Sequence, residues 1–335
     1  MLKAAMIGAG FIADFHADGY AQLPDVSLAA ICDTDENKAA AMADQYHCKA
    51  YASAEEMLTR EQPDLVSVCL PTFLHERYTL LALRAGAHVL CEKPLSLTME
   101  SCYRMAEAAK ESGRILMTGQ VLRWWPEYQT IAGEMRRLGP FPLIASKRLQ
   151  YAGRTQWMPD PQKGGGVLFD LFVHDLDFLC AQLGYTPKVE SAAGIMGPEG
   201  SWRSVYTMLT WPCGTTAKLE ASNLMPKGFP FTAALRVDRK QACISYTFRA
   251  PVNIEKDAVT QTEFLLFEND TSRQLPLAEN AQTQAFRQEI AAFVRGVQEG
   301  SSPLPVENTL AVMKIVHQVK DLLDRQREQT SPSDQ

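Results

Sequence analysis

The beginning of the chain constrains its fold more than any other stretch. Leu2 to Ile7 is a compact apolar run that ends in Gly8-Ala9-Gly10-Phe11-Ile12-Ala13; helical periodicity then extends from Ala13 to Gln22, and Ser27–Cys32 forms a second apolar run. Strand, glycine turn, helix, strand is the order of a βαβ unit. In that context G-x-G-x-x-A is a dinucleotide fingerprint: Gly8 makes the tight turn, Gly10 lets the backbone approach a pyrophosphate, and small Ala13 permits close helix packing. The helix N-terminus, with Phe11 and Ile12 just ahead of it, supplies amide donors and a partial positive charge for phosphates. Asp33 closes the second strand about 20 residues on, the place of a carboxylate that accepts from the adenosine ribose hydroxyls. Thr34, Asp35 and Glu36 follow it, with no arginine to receive a 2′-phosphate, so NAD is expected over NADP. The competing role for Asp33 is a cap on the helix that begins near Asp35.

The alternation continues with a helix over 35–46, a short strand at 49–51, a helix over 54–60 and a strongly apolar strand, Leu65–Leu70. Helix 76–85, strand 88–91, helix 98–112 and strand 115–118 complete it. Such alternation predicts parallel βαβ units, and so a doubly wound Rossmann-type sheet over residues 1–120. Ligands of these sheets bind beyond the strand C-termini. By position alone, then, Pro71, Thr72 and His75 after one strand, and Glu92 and Lys93 after the next, are candidates to face the cofactor.

Beyond Gly119 the texture changes. A helix, Pro126–Leu138, leads to an apolar run, Leu143–Tyr151, and six strand-like runs between 189 and 267 follow with no helices between them; two helices, 281–298 and 307–327, and a polar tail at 328–335 end the chain. Strands in series predict a mostly antiparallel open sheet in an α+β second domain, 121–335. Between them lies Gly164 to Asp177, GGGVLFDLFVHDLD. Read as an α-helix, it puts Asp170, His174 and Asp177 on one narrow stripe and apolar side chains over most of the remaining circumference. Polar groups on so apolar a helix are either satisfied core groups or a working site, because an unpaired buried polar group costs about 1–3 kcal/mol. The glycines before it suit either a site wall or a flexible lead-in.

Composition narrows the function classes. A net charge of −6 and the absence of any Lys/Arg cluster argue against nucleic-acid and anionic-membrane partners. No apolar run approaches the ~18 residues of a membrane span, and no basic n-region precedes the first strand, so a cytoplasmic protein is expected. Eight cysteines are scattered without a Cys-x-x-Cys pair, as in a reduced thiol set, although Cys32, Cys69 and Cys91 fall at or near strand ends. No bound metal is expected, since two carboxylates and one histidine on the 170–177 stripe lack an obvious fourth ligand.

The glycine fingerprint, the strand-terminal Asp33, the Glu92-Lys93-Pro94 run and GGG-x-x-x-D-x-x-x-H in this order resemble the Gfo/Idh/MocA oxidoreductase family over nearly the whole chain. The resemblance implies a catalytic trio of Lys93, Asp170 and His174, Glu92 on the cofactor side and a cis Lys93–Pro94 bond. Gln120, Val121, Leu122 and Arg123 depart from the family's commoner aromatic-Asn-Arg sequence, which leaves substrate contacts open. Oxidising an alcohol needs a hydride acceptor on one side of the carbon and a base for the hydroxyl proton on the other. His174, with an ordinary pKa near 6.5, is the natural base. Asp170 would orient it or bind a neighbouring hydroxyl, Lys93 would polarise the substrate oxygen, and Arg123, Arg154 and Trp157 are candidate pocket residues; Trp124 and Trp125 suit either sugar stacking or the core. The expectation is a dehydrogenase or reductase acting on a sugar, cyclitol or related polyol, working as a homodimer or homotetramer. Alternatives are an NAD-retaining glycosidase or lyase working by transient oxidation, and a non-catalytic NAD-sensing regulator.

Overall fold

The computed structural model describes residues 1–153, 155, 157–251 and 259–330. They divide into two compact units, Met1–Trp125 with Gln282–Leu310, and Pro126–Ala281 with Ala311–Gln335. The expected single cut lies at residue 120; here the chain first crosses after Trp125, and residues 282–310 return to the first unit.

In the first unit, strands β1 (Leu2–Ile7), β2 (Val26–Cys32), β3 (Lys49–Tyr51), β4 (Leu65–Val68), β5 (His88–Glu92) and β6 (Leu116–Gly119) alternate with helices α1 (Phe11–Ala21), α2 (Glu36–Tyr46), α3 (Ala54–Glu61), α4 (His75–Arg84) and α5 (Met99–Ser112). All strand pairs are parallel, in the order β3-β2-β1-β4-β5-β6. This is the doubly wound sheet that the alternation requires. Helix starts carry the expected caps: the side chains of Asp35, Ser53 and Thr98 accept from amides in the first turns of α2, α3 and α5.

The chain crosses to the second unit through α6 (Pro126–Leu138). There β7 (Leu143–Tyr151), α7 (Val173–Leu183), β8 (Lys188–Met196), β9 (Trp202–Thr210), β10 (Thr216–Met225), β11 (Phe231–Arg239), β12 (Ala242–Ala250), β13 (Gln261–Glu268) and β14 (Thr271–Gln274) follow. The strands form one sheet in the order β14-β13-β12-β11-β7-β10-β9-β8, antiparallel except for the β7–β10 pair. Residues of exposed, polar β14 carry no apolar alternation, so that strand escaped the sequence reading.

Two helices end the described chain, α8 (Ala281–Glu299) and α9 (Val306–Thr330). Residues 328–330, expected to begin a disordered tail, continue α9; the rest of that tail lies outside the described residues. Helix α8 completes the first unit's core, with Ile290, Phe293 and Val294 among Ala4, Met6, Ala13, Ala17 and Tyr20. Gly19 makes the approach possible, because a Cβ there would stand 2.8 Å from Ile290 Cγ1. An ion pair, Arg287 to Asp18 at 2.7 Å, lies across the same contact.

Candidate active site

The glycine turn between β1 and α1 behaves as its sequence demands. Gly8 has φ +106°, and a Cβ on it would lie 2.2 Å from the Cys69 carbonyl oxygen, so only glycine fits between β1 and the end of β4. Gly10 differs: its backbone is ordinary, it is exposed, and a Cβ would meet nothing within 4 Å. The open space beside the N-terminus of α1, next to exposed Phe11 and half-buried Ile12, is the shape a closely approaching phosphate requires. Asp33 accepts from the Ala9 amide at 2.8 Å and from the Asp35 amide at 2.9 Å. It thereby ties the glycine turn to the end of β2. Asp35, not Asp33, caps α2.

Beyond β4, Pro71 is half-buried, Thr72 is buried in a short turn of 3-10 helix, and His75, the first residue of α4, is fully buried. His75 Nδ1 lies 2.9 Å from the Pro94 carbonyl and Nε2 lies 2.8 Å from that of Leu70. Carbonyls only accept, so a neutral ring holds one of these bonds and a protonated ring both. Burial pulls its pKa below the ordinary value, against the opposing pull of the two carbonyls and of the Glu92 charge.

Glu92, buried at the end of β5, receives His16 Nε2 at 3.1 Å on one oxygen and the Lys93 amide at 3.1 Å on the other. Burial raises its pKa, but the hydrogen bond from His16, the charge of Lys93 and the Lys93 amide outweigh this and hold it below the ordinary carboxylate value. His16 Nδ1 lies 3.1 Å from Ser67 Oγ, which is 2.9 Å from the Tyr20 hydroxyl. Among the described residues, His16, Glu92 and Glu289 are the one group whose potential metal-ligand atoms fall within 4.8 Å of one another, and the His16–Glu92 hydrogen bond already draws two of them together. Lys93 is half-buried and precedes a cis peptide bond to Pro94. The strand-end cysteines stay protonated, since burial pushes the Cys32 thiol up to about 11 and the Cys91 thiol up to about 12.

In the second unit, the segment carrying Asp170 and His174 is not the uniform α-helix its periodicity predicts. Leu168–Phe172 is a π-turn, and α-helix begins only at Val173. The wider turn changes the angular offset of Asp170 from the one expected at 100° per residue without moving it off the His174 side of the helix. Both are half-buried, whereas Asp177 is buried. The glycines ahead are packing devices: a Cβ on Gly164 would meet the Met158 backbone at 2.4 Å, and one on Gly166, at φ +75°, the Trp202 carbonyl at 2.6 Å. Close contact of the chain with itself explains Gly164 and Gly166.

Strand β7 fixes this segment at two points. Arg148 makes a two-pronged ion pair with Asp175, at 2.9 and 3.1 Å, with side chains only 7% and 5% exposed. Two residues on, Gln150 donates to Asp170 at 3.3 Å. A cavity of 30 Å³ beside Asp170, lined also by Gln150, Thr155, Gly166, Arg203 and Asn223, has room for one water or one hydroxyl group. Arg203 reaches it through a 2.7 Å bond to Asn223. Arg148, Gln150 and Asp175 escaped the sequence reading; the available signal was an aspartate off the polar stripe of an apolar helix, which demands a cationic partner.

The remaining candidates are dispersed. Arg123 lies half-buried in a short turn of the first unit, and Trp157 half-buried in a turn of the second. Trp124 packs on the first unit's core and Trp125 is buried; Arg154 lies outside the described residues. Lys93 belongs to the first unit, Asp170 and His174 to the second.

Two family models match, one for an oxidoreductase family with an NAD-binding Rossmann fold over residues 2–120, the other for the GFO/IDH/MocA C-terminal domain over 134–242. The chain belongs to the GFO/IDH/MocA oxidoreductase family. It is 35% identical over 197 residues to a D-glucoside 3-dehydrogenase of Escherichia coli, a match spanning 57% of this chain and 56% of that relative. To a 1,5-anhydro-D-fructose reductase of Ensifer adhaerens it is 33% identical, over 65% of this chain and 68% of the relative. The solved UDP-N-acetylglucosamine 3-dehydrogenase of Acidithiobacillus ferrooxidans shares the fold at a TM-score of 0.79 and 23% identity, over 97% of this chain and 98% of that one. A 3-ketoreductase of Actinomadura kijaniata, solved with NADP, does so at 0.82 and 22%, over 96% and 98%.

Proposed function

We propose that the chain is a nicotinamide-dependent dehydrogenase or reductase acting on a CH–OH group of a sugar, cyclitol or related polyol. The observation that carries this reading is the pairing of an open, exposed Gly10 at a helix N-terminus with Asp33 at the end of β2, in a family whose named relatives act on glucosides, anhydrofructose and inositol. Gly8, Gly10, Phe11, Ile12 and Asp33 would hold the adenosine diphosphate half, and Pro71, Thr72, Glu92 and Lys93 would flank the nicotinamide. When bound, the nicotinamide supplies the hydride acceptor or donor.

The chain's own residues supply the rest. Lys93 would polarise the substrate oxygen; His174 would take the hydroxyl proton in oxidation and return it in reduction; Asp170, already engaged by Gln150, would orient the ring or accept from a neighbouring hydroxyl. NAD is favoured over NADP because the Asp33 carboxylate would repel a 2′-phosphate and Asp35 and Glu36 follow it. Nothing in the relatives' names favours the glycosidase or lyase alternative.

Turnover of a panel of glucosides, inositols and aldoses with each cofactor, followed by the reduced nicotinamide absorbance, tests the reading. Stoichiometric NADH supports it; product without net NADH refutes it, and equal or tighter binding of NADP refutes the cofactor preference. A homo-oligomer belongs to the same proposal. Leu143, Ile195, Tyr206, Leu224 and Phe267, 38–56% exposed, lie on one face of the large sheet by strand register. Sedimentation showing only monomer at micromolar concentration would refute it.

A further inference from the structure

Two buried histidines, distant in sequence, each grip one neighbour of Lys93. His16, on α1, holds the Glu92 side chain at 3.1 Å, and the second Glu92 oxygen in turn holds the Lys93 amide at 3.1 Å. His75, at the start of α4, holds the Pro94 carbonyl at 2.9 Å. Pro94 has no N–H of its own, so its carbonyl is the hydrogen-bonding handle the backbone offers there. Both imidazoles are fully buried, as are Ser67 and Tyr20 behind His16, whereas Lys93 between the two grips is half-buried.

Donor and acceptor roles make the first grip directional. The Glu92 carboxylate only accepts, so His16 Nε2 carries the hydrogen, Nδ1 accepts from Ser67, and Ser67 accepts from Tyr20. Every member of this chain is satisfied, and satisfied buried networks rigidify what they hold. The second grip depends on tautomer: the other nitrogen of His75 lies 2.8 Å from the Leu70 carbonyl, and the neutral ring that carries its hydrogen on Nδ1 donates to Pro94.

We propose that His16 and His75 are positioning residues that fix the Lys93 ammonium by clamping Glu92 and Pro94 on either side of it. The proposal rests on the reading of Lys93 as the group that polarises the substrate oxygen. Misplacement of such a group by about 1 Å costs up to about 100-fold in rate.

The clamps predict a crossed pattern of variants. A glutamine amide nitrogen falls near the place of a histidine Nε2, and an asparagine amide nitrogen near that of Nδ1. His16→Gln therefore keeps the bond to Glu92 and His16→Asn loses it; His75→Asn keeps the bond to Pro94 and His75→Gln loses it. Reductive ¹³C-methylation of the full-length protein gives each lysine a resonance while keeping its charge, and Lys93→Arg assigns the one from Lys93. In His16→Gln and His75→Asn that resonance should stay at its wild-type shift. In His16→Asn and His75→Gln it should move at least halfway to the shift of the exposed lysines, while NAD affinity stays within about 3-fold.

A Lys93 resonance unmoved in all four variants overturns the proposal, and so does movement in the opposite pair; a merely structural role gives no crossing. Should one pair fail to fold, the crossing within the other decides. Failure of the underlying reading is separate. A Lys93→Met protein that turns over the polyol panel as fast as wild type removes the catalytic role of Lys93, whatever the resonance does.

Discussion

Gly8 and Gly10 lie two residues apart in one turn, yet replacing each with alanine should have opposite consequences. At Gly8, φ of +106° puts an alanine in a region that costs an L-residue about 1–2 kcal/mol. Its Cβ would also stand 2.2 Å from the Cys69 carbonyl oxygen and 2.9 Å from the carbonyl carbon. Both are backbone atoms, so relief requires β1 and the end of β4 to separate, an overpacking cost of about 1–3 kcal/mol. The sum, about 2–5 kcal/mol, corresponds to a melting temperature lower by about 4–20 °C for a unit of this size. At Gly10, φ is −87° and a Cβ meets nothing, so Gly10→Ala should alter stability by less than about 1 kcal/mol, the difference between glycine and alanine as helix cap. The added methyl instead occupies the space proposed for the pyrophosphate, and NAD should bind about tenfold more weakly or worse, a loss of about 1.4 kcal/mol or more. Calorimetric melting and an NAD titration of the two variants separate the effects. Wild-type NAD affinity in Gly10→Ala, or wild-type melting in Gly8→Ala, would refute the reasoning.

Three further outcomes follow from the site. Arg148→Met should cost about 3–5 kcal/mol because it strands Asp175 in a nearly dry setting, and adding Asp175→Leu should recover most of it; a double variant no more stable than the single would show that the loss is packing alone. His174→Ala should lower kcat about 10²–10⁴-fold with NAD affinity and melting near wild type, and Asp170→Asn should be milder and non-additive with it; a stable, fully active His174→Ala protein would remove His174 from the chemistry. Stability should fall on acidification. The folded pKa of His75 is depressed, so below about pH 6.5 the unfolded chain binds a proton that the folded chain refuses, and stability is lost at up to about 1.4 kcal/mol per pH unit until the folded pKa is reached. His88 and His317 add in the same direction. Urea unfolding at pH 7.5, 6.5 and 5.5 checks this, and the slope should flatten in His75→Asn.

By itself the sequence determined the parallel sheet, the glycine turn and the placement of Asp33, Glu92 and Lys93, because these depend on local alternation and on residues whose backbone or charge permits few other uses. Gly8 is legible because no other residue tolerates that turn, and Asp33 because a strand C-terminus is a fixed address in such a sheet. Only the tertiary structure revealed that α8 closes the first unit, since nothing in its amphipathic pattern names Gly19 as its seat. The π-turn at 168–172 was equally hidden: its residues have the periodicity of an ordinary helix, and the wider turn coincides with a chain pressed onto β9 at Gly166 and held to β7 through Gln150 and Arg148. Neither the His16 bond to Glu92 nor the His75 bond to Pro94 was legible, because a hydrogen bond between residues 76 or 19 positions apart leaves no periodic trace in either segment. Local physics wrote the elements and their addresses, whereas the pairing of buried polar groups depended on which elements met.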